Sequence, residues 1–155
     1  MKLYDISQEV FSCKVYPGDP KPTAKTLCAM EKGDLYNLTA FSMCAHNGTH
    51  IDAPFHFLSE GKTVEKMCLQ TFVGDCYVAC HQAAVTAADA AAILEKAQGA
   101  PRILIAGPAT VTPEAAYVFA NAGICLLGNE SQTIGPEDAP MQVHRILLEK
   151  ELPIQ

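Results

Sequence analysis

Residues 102–127 read RILIAGPATVTPEAAYVFANAGICLL, and this stretch decides the fold class. It opens on RILIA at 102–106, an arginine followed by four apolar residues, which we interpret as a buried strand. Thr112 then supplies an N-cap, with proline at the first helical position, glutamate in the first turn and a glycine to close the helix. A second apolar run follows at 124–127. The stretch predicts a strand, a helix and a second strand, the unit in which the two strands run parallel.

Two further helices are predicted on either side of this unit. The Ala-rich stretch 83–100 has Thr86 as its N-cap and Asp89 three residues later, which is the spacing of a capping box, and a glycine ends it. Residues 140–150 have the apolar spacing of another helix, and this one carries His144. The second half of the chain is therefore predicted to alternate strands with helices.

The first half shows no helical periodicity. It has short strand candidates at 2–6, 35–45 and 73–80, separated by clusters of proline, glycine and charged residues. We predict an α/β fold in which residues 1–155 form a single compact domain, with a mixed β-sheet or barrel-like centre flanked by helices.

Length, charge and cysteine content restrict the class of protein. The 155 residues are 49% hydrophobic and 18% charged, with a net charge of −6, which suits one domain. Since the chain has no Lys/Arg cluster, we expect neither nucleic acid nor an anionic membrane as a partner. No stretch approaches the ~20 apolar residues that span a bilayer, and the start does not have a signal-peptide pattern. Seven cysteines without a CxxC pair indicate reduced thiols, and we expect a cytoplasmic protein.

Side chains suited to catalysis are concentrated at 45–57, AHNGTHIDAPFHF. Three of the five histidines, His46, His50 and His56, occur here together with Asp52. A glycine, a proline and two β-branched residues oppose a helix, so an extended chain is predicted. Because alternate side chains of a strand share a face, these four groups are expected to point the same way. Imidazole and carboxylate suit Zn²⁺, Mn²⁺ or Fe²⁺, and three protein ligands leave a position for water.

A plainer interpretation is that these histidines cap loops or lie on a solvated strand face. That interpretation would be preferred for a single histidine. Chance explains less well why three histidines and an aspartate would share one face of a strand, so a common site is favoured. Cys44 shares the parity and is a conceivable soft ligand, although packing explains it better. His144, taken alone, is better explained as an ordinary helix residue.

The stretch HNGTHIDAPFHF at 46–57 resembles the HxGxHxDxPxH signature of the cyclase family, which includes bacterial kynurenine formamidases and isatin hydrolases. Three other stretches are similar to that family in the same order: YDIS at 4–7, VYPGD at 15–19 and TPEAA at 112–116. The resemblance covers nearly the whole chain. It implies a β-barrel-like centre flanked by helices, assembly as a homodimer or homotetramer, and hydrolysis of an amide bond.

The resemblance also implies roles for individual residues. By that similarity His46, His50 and Asp52 would bind one or two divalent metal ions, Zn²⁺ or Mn²⁺, with Asp52 able to bridge two ions. His56 would be the general acid and base. His144 matches the position at which formamidases place a histidine on the second metal.

The sequence departs from the family pattern in three places. Tyr16 occupies the position at which kynurenine formamidases have a Trp that packs against the aromatic ring of the substrate. A Tyr can still stack there. The relatives place a metal-bridging Glu further along than Gln155, so this sequence is expected to lack the family's C-terminal segment. Glu130 or Glu151 could replace that Glu, but the spacing of neither residue indicates it. The connection 105–112 is also shorter than in the relatives.

We therefore predict a hydrolase of a small carbonyl compound, in which metal-activated water cleaves an N-formyl or cyclic amide. The alternative is a catalytically impaired family member that binds metal or a small ligand without turnover. A third hypothesis is an α/β interaction module with incidental histidines. Metal content and turnover that depends on His56 distinguish the three.

Overall fold

The computed structural model of the protein describes residues 4–155. In this part of the chain the strands and helices are, in order, β1 Thr23–Cys28, β2 Leu38–Ser42, β3 Tyr77–Cys80, α1 Ala87–Ala97, β4 Arg102–Ala106, α2 Pro113–Ala120, β5 Leu126–Asn129 and α3 Pro140–Leu148. Short 3₁₀ turns lie at Met30–Lys32, Pro54–His56, Val64–Lys66 and Leu69–Thr71. The predicted α/β class is confirmed. Among these residues no helix has the length and apolar character needed to cross a membrane.

The chain divides into two compact units, the first ending at His50 and the second running Ile51–Gln155. In the first unit β1 and β2 pair antiparallel. The predicted strand at 35–45 is found as the shorter β2, whereas β1 was not predicted because its sequence, TAKTLC, lacks clear alternation. The strand predicted at 2–6 is not seen at its described positions 4–6, and its first two residues lie outside the described part.

The second unit contains a parallel sheet in the order β3-β4-β5. Tyr77 lies opposite Ile103, and Arg102 opposite Leu126. Helix α1 connects β3 to β4 and α2 connects β4 to β5, so the predicted parallel strand–helix units are confirmed. The antiparallel and parallel strands form two separate sheets.

Helices α1 and α2 begin where their capping residues predict. The Thr86 hydroxyl accepts a bond from the Asp89 amide, and the Asp89 carboxylate accepts one from the Thr86 amide, which completes the capping box before α1. Thr112 accepts from the Ala115 amide at the start of α2. Apolar side chains of the strands and helices form one buried core, in which Phe119 and Ile103 have no exposed surface.

The last residues of the chain extend this sheet. The amide of Leu127 donates to the Pro153 carbonyl at 3.2 Å, and the amide of Gln155 donates to the Leu127 carbonyl at 3.0 Å. Ile154 thereby pairs in parallel with Leu127, and on its other side it pairs antiparallel with Asp52. Asp52 is thus joined to the sheet of the second unit through one intervening stretch of chain.

Candidate metal centre

The segment that carries three histidines is a series of turns. Residues 45–49 form a turn and bends, Asp52 makes an isolated bridge, and Pro54–His56 is a 3₁₀ turn. Gly48 has φ +66°, in the left-handed region. The prediction of an extended strand with alternating faces is therefore wrong here. Pro54 and His56, two residues apart, would share one face of a strand, but Pro54 is buried and His56 is exposed.

Side-chain hydrogen bonds to distant backbone explain why the chain turns. The Asn47 side-chain amide donates to the Val10 carbonyl at 2.8 Å. The Thr49 hydroxyl accepts from the Gln8 amide at 3.0 Å and donates to the Ile6 carbonyl at 3.2 Å. Asn47 is buried, and a buried polar side chain must keep such a partner, so its bond outweighs the local preference for a strand. The bonds of Thr49, which is exposed, add to it. Residues 6–10 were not predicted to have this role.

Three of the predicted ligands nevertheless come together. One donor atom from each of His46, His50 and Asp52 lies within 4.8 Å of the others. Ligands that bind one ion at 2.0–2.2 Å are separated by at most roughly 4.4 Å, so these donors are close to coordination distance. The imidazoles of His46 and His50 meet edge to face, with centroids 5.1 Å apart. The turn at Gly48 brings them together although they do not lie on a strand.

A backbone carbonyl fixes the tautomer of His50. Its Nδ1 lies 2.8 Å from the Gly48 oxygen. A carbonyl oxygen only accepts hydrogen bonds, so Nδ1 carries the proton and Nε2 presents the lone pair when the ring is neutral. Metal-binding histidines are commonly oriented in this way, by a hydrogen bond from the second ring nitrogen to a carbonyl.

His144 is held in the same manner. It is buried on α3, and its Nδ1 lies 2.7 Å from the Pro140 oxygen one helical turn earlier. Its Nε2 faces Asp52 Oδ2 at 3.5 Å, and both side chains are at least nine-tenths buried. In this tautomer the lone pair of Nε2 points at the lone pairs of the Asp52 carboxylate, and the two repel each other. A proton or a cation bound between the two atoms would remove that repulsion. The residues therefore fit a divalent cation.

His56 and Phe57 lie beside His144. The ring centroids of His56 and His144 are 6.2 Å apart, and the Phe57 ring lies 4.8 Å from His144. His56 is exposed and is not one of the three groups whose donors converge. Its place at the surface beside a buried histidine suits a group that exchanges protons with solvent. The role of His56 as general acid and base stays a prediction.

The other candidates lie in different surroundings. Tyr16 is in a turn closed by the Asp19 amide, with 36% of its surface exposed, and its contact with substrate remains a prediction. The Cys44 thiol donates to the Asp19 carboxylate at 3.4 Å. Glu130 accepts from the Gly107 amide, and Glu151 pairs with a lysine, so these carboxylates have other partners.

Comparison with known proteins identifies the family of the chain. The profile of a family described as Putative cyclase matches residues 4–135. The chain is 25% identical over 167 aligned positions to kynurenine formamidase of Erythrobacter litoralis (strain HTCC2594), an alignment covering 99% of this chain and 77% of that protein.

Two solved structures have a similar fold. A predicted metal-dependent hydrolase from Bacillus stearothermophilus superposes with a TM-score of 0.76 at 22% identity, covering 99% of this chain and 80% of that one. Isatin hydrolase A from Labrenzia aggregata, bound to benzyl benzoate, gives a TM-score of 0.79 at 18% identity, covering 97% and 78%. The resemblance seen in the sequence is confirmed, and the chain belongs to the cyclase family.

Proposed function

We propose that this protein is a metal-dependent amidohydrolase that cleaves an N-formyl or cyclic amide of a small carbonyl compound. The observation that carries the proposal is the convergence of His46, His50 and Asp52 donors within 4.8 Å. The kynurenine formamidase relative and the isatin hydrolase neighbour support a substrate with a non-peptide C–N bond. This is the activity of an arylformamidase-like enzyme.

The ligands of the proposed centre are His46, His50 and Asp52, with His144 contributing to a second ion where two are bound. The mixed nitrogen and oxygen donors suit Zn²⁺ or Mn²⁺. When bound, a divalent cation supplies Lewis-acid polarisation of the carbonyl and lowers the pKa of coordinated water. The carbonyls of Gly48 and Pro140 keep Nε2 of His50 and His144 available to it.

His56 is proposed as the general acid and base. Its exposed imidazole can take a proton from the attacking water and return it to the nitrogen of the leaving group. The short distance between its ring and that of His144 supports this role. Tyr16 is proposed to stack against an aromatic part of the substrate.

The test combines metal analysis of protein purified without added metal with an assay of N-formyl amide hydrolysis. We expect bound Zn²⁺ or Mn²⁺, turnover by the wild type, and a loss of about 10²–10⁴-fold in kcat for His56→Ala. Metal content should be unchanged in that variant. His81→Ala is the matched control, because His81 pairs with Asp89 beside α1 and has no proposed role at the centre.

Each result separates the candidate functions. Metal with turnover that depends on His56 supports the amidohydrolase. Metal without turnover of N-formyl or cyclic amides would instead favour a family member that binds its ligand without catalysis. Protein that holds no metal and has no activity would contradict both.

We also propose that the protein is a cytoplasmic homodimer or homotetramer. The family resemblance supports the assembly, as do the exposed apolar side chains of Leu38 and Phe41 on β2. The seven free cysteines are consistent with a reducing compartment. A single monomeric mass in light scattering would contradict the assembly.

A further inference from the structure

Asp52 is fixed by its backbone as well as by its carboxylate. Its amide donates to the Ile154 carbonyl at 2.8 Å, and its carbonyl accepts from the Ile154 amide at 3.2 Å. The two residues exchange both bonds, as a hydrogen-bonded pair does in an antiparallel sheet. Such a pair holds the Cα of Asp52 at a defined distance from Ile154.

Residues 153–155 are in turn anchored to the core of the second unit. Three backbone bonds join them to β5, the last from the Asn129 amide to the Gln155 carbonyl at 2.9 Å. The side chain of Ile154 is 3% exposed and belongs to the buried core. The chain from β5 to Asp52 is therefore a continuous backbone ladder with one buried residue at its centre.

This ladder matters because the segment around Asp52 has no regular structure of its own. A turn precedes it and a 3₁₀ turn follows it. Groups that hold a metal must be kept within about 0.5 Å of their working positions, and rigid elements do this better than loops. The ladder gives Asp52 the rigidity of a strand, and His144, which faces it at 3.5 Å, lies on a helix of the same unit.

We propose that residues 153–155 act as a positioning strand for the metal-binding carboxylate of Asp52, with the Ile154 amide as its decisive donor. This inference rests on the proposed metal-dependent function. Ile154 does not contact the ion or the substrate in this scheme. It acts by fixing the Asp52 backbone, so its loss should weaken metal binding in protein that remains folded.

The experiment compares Mn²⁺ affinities, measured by calorimetry on metal-free protein well below its unfolding temperature. Ile154→Ala keeps the backbone donor and loses packing, whereas Ile154→Pro loses both. We expect Ile154→Pro to bind Mn²⁺ about 10–100-fold more weakly than Ile154→Ala, the range found when groups that orient a ligand are lost. Gln155→Pro is the matched control, because it removes a bond to Leu127 and leaves the Asp52 pair intact.

A backbone ester at position 154 keeps the experiment decisive if the proline variant does not fold. Cys125 allows ligation of a synthetic 125–155 peptide. The ester removes the Ile154 donor and otherwise only weakens the Pro153 carbonyl as acceptor of the Leu127 amide. Weaker Mn²⁺ binding by the ester supports the inference. If the ester and Ile154→Pro bind Mn²⁺ as tightly as the wild type, the positioning role is overturned while the metal site stands. If the wild type itself binds neither Mn²⁺ nor Zn²⁺, the proposed function is overturned.

Discussion

The parallel sheet of the second unit and the ligand-bearing segment 45–57 are held by different kinds of contact. The sheet combines a regular backbone ladder with side chains such as Phe119 that have no exposed surface. The segment has no strand or helix longer than three residues and depends on individual bonds from Asn47, Thr49 and Asp52. From this difference we expect the sheet to supply most of the stability and the segment to set the geometry of the candidate metal centre.

Removing a core side chain should have the largest effect on stability and little on metal binding. Phe119 is fully buried on α2, so Phe119→Ala is expected to lower the free energy of unfolding by about 3–5 kcal/mol. Tyr117→Ala, on the same helix but 56% exposed, should change it by less than about 0.5 kcal/mol. Urea unfolding of both variants measures this. A large change in the Mn²⁺ affinity of folded Phe119→Ala would contradict the division of roles.

A substitution in the turn should show the opposite balance. A Cβ at position 48 would lie 3.7 Å from Cys13 Sγ and from the Gln8 carbonyl oxygen, which are ordinary contacts. Gly48→Ala nevertheless forces a side chain onto φ +66° at a cost of about 1–2 kcal/mol. Because His46 and His50 lie on either side, we expect Mn²⁺ affinity to fall about ten-fold, as for loss of a ligand-orienting contact.

Gly123→Ala is the control for that variant. Gly123 has φ +72° and open space around it, after α2 and away from the centre. In urea unfolding, Gly123→Ala should lose a similar amount of free energy of unfolding. Its Mn²⁺ affinity should stay that of the wild type. Equal affinity losses in both variants would show that the turn has no special influence on the site.

The smallest effects are expected at the helix caps. Thr86→Ala and Thr112→Ala should each cost about 1 kcal/mol at neutral pH, measured by urea unfolding. Hydrogen bonds from the Thr86 hydroxyl, and then from its amide, hold the pKa of Asp89 below its ordinary value of 3.8. A lowered folded-state pKa contributes stability that is present above pH 3.8 and is lost as the pH falls through the folded pKa.

The effect of Thr86→Ala should therefore shrink in acid, whereas that of Thr112→Ala, whose cap has no carboxylate partner, should not. An effect of Thr86→Ala that stays constant down to pH 2 would rule out the capping box as its source. Both substitutions act on the helices α1 and α2, so neither should change Mn²⁺ affinity.

The regular elements were predictable because their signals are local. The strand predicted at 102–106 coincides with β4, and the caps at Thr86 and Thr112 begin α1 and α2. The strand β1 was missed because its exposed residues carry no alternation. The strand expected at 46–56 was wrong because Asn47 and Thr49 bond to residues far away in the sequence.

The order of residues already indicates which groups are available and how they are spaced: His46, His50 and Asp52 in one short segment, His56 just after it, and His144 on a predicted helix. Only folding brings Asp52 opposite His144, the Gly48 and Pro140 carbonyls onto Nδ1 of His50 and His144, and Ile154 onto the Asp52 backbone. The physical reason is the range of the interactions. Periodicity and capping act within a few residues, whereas these contacts join distant parts of the chain and form only when the core packs.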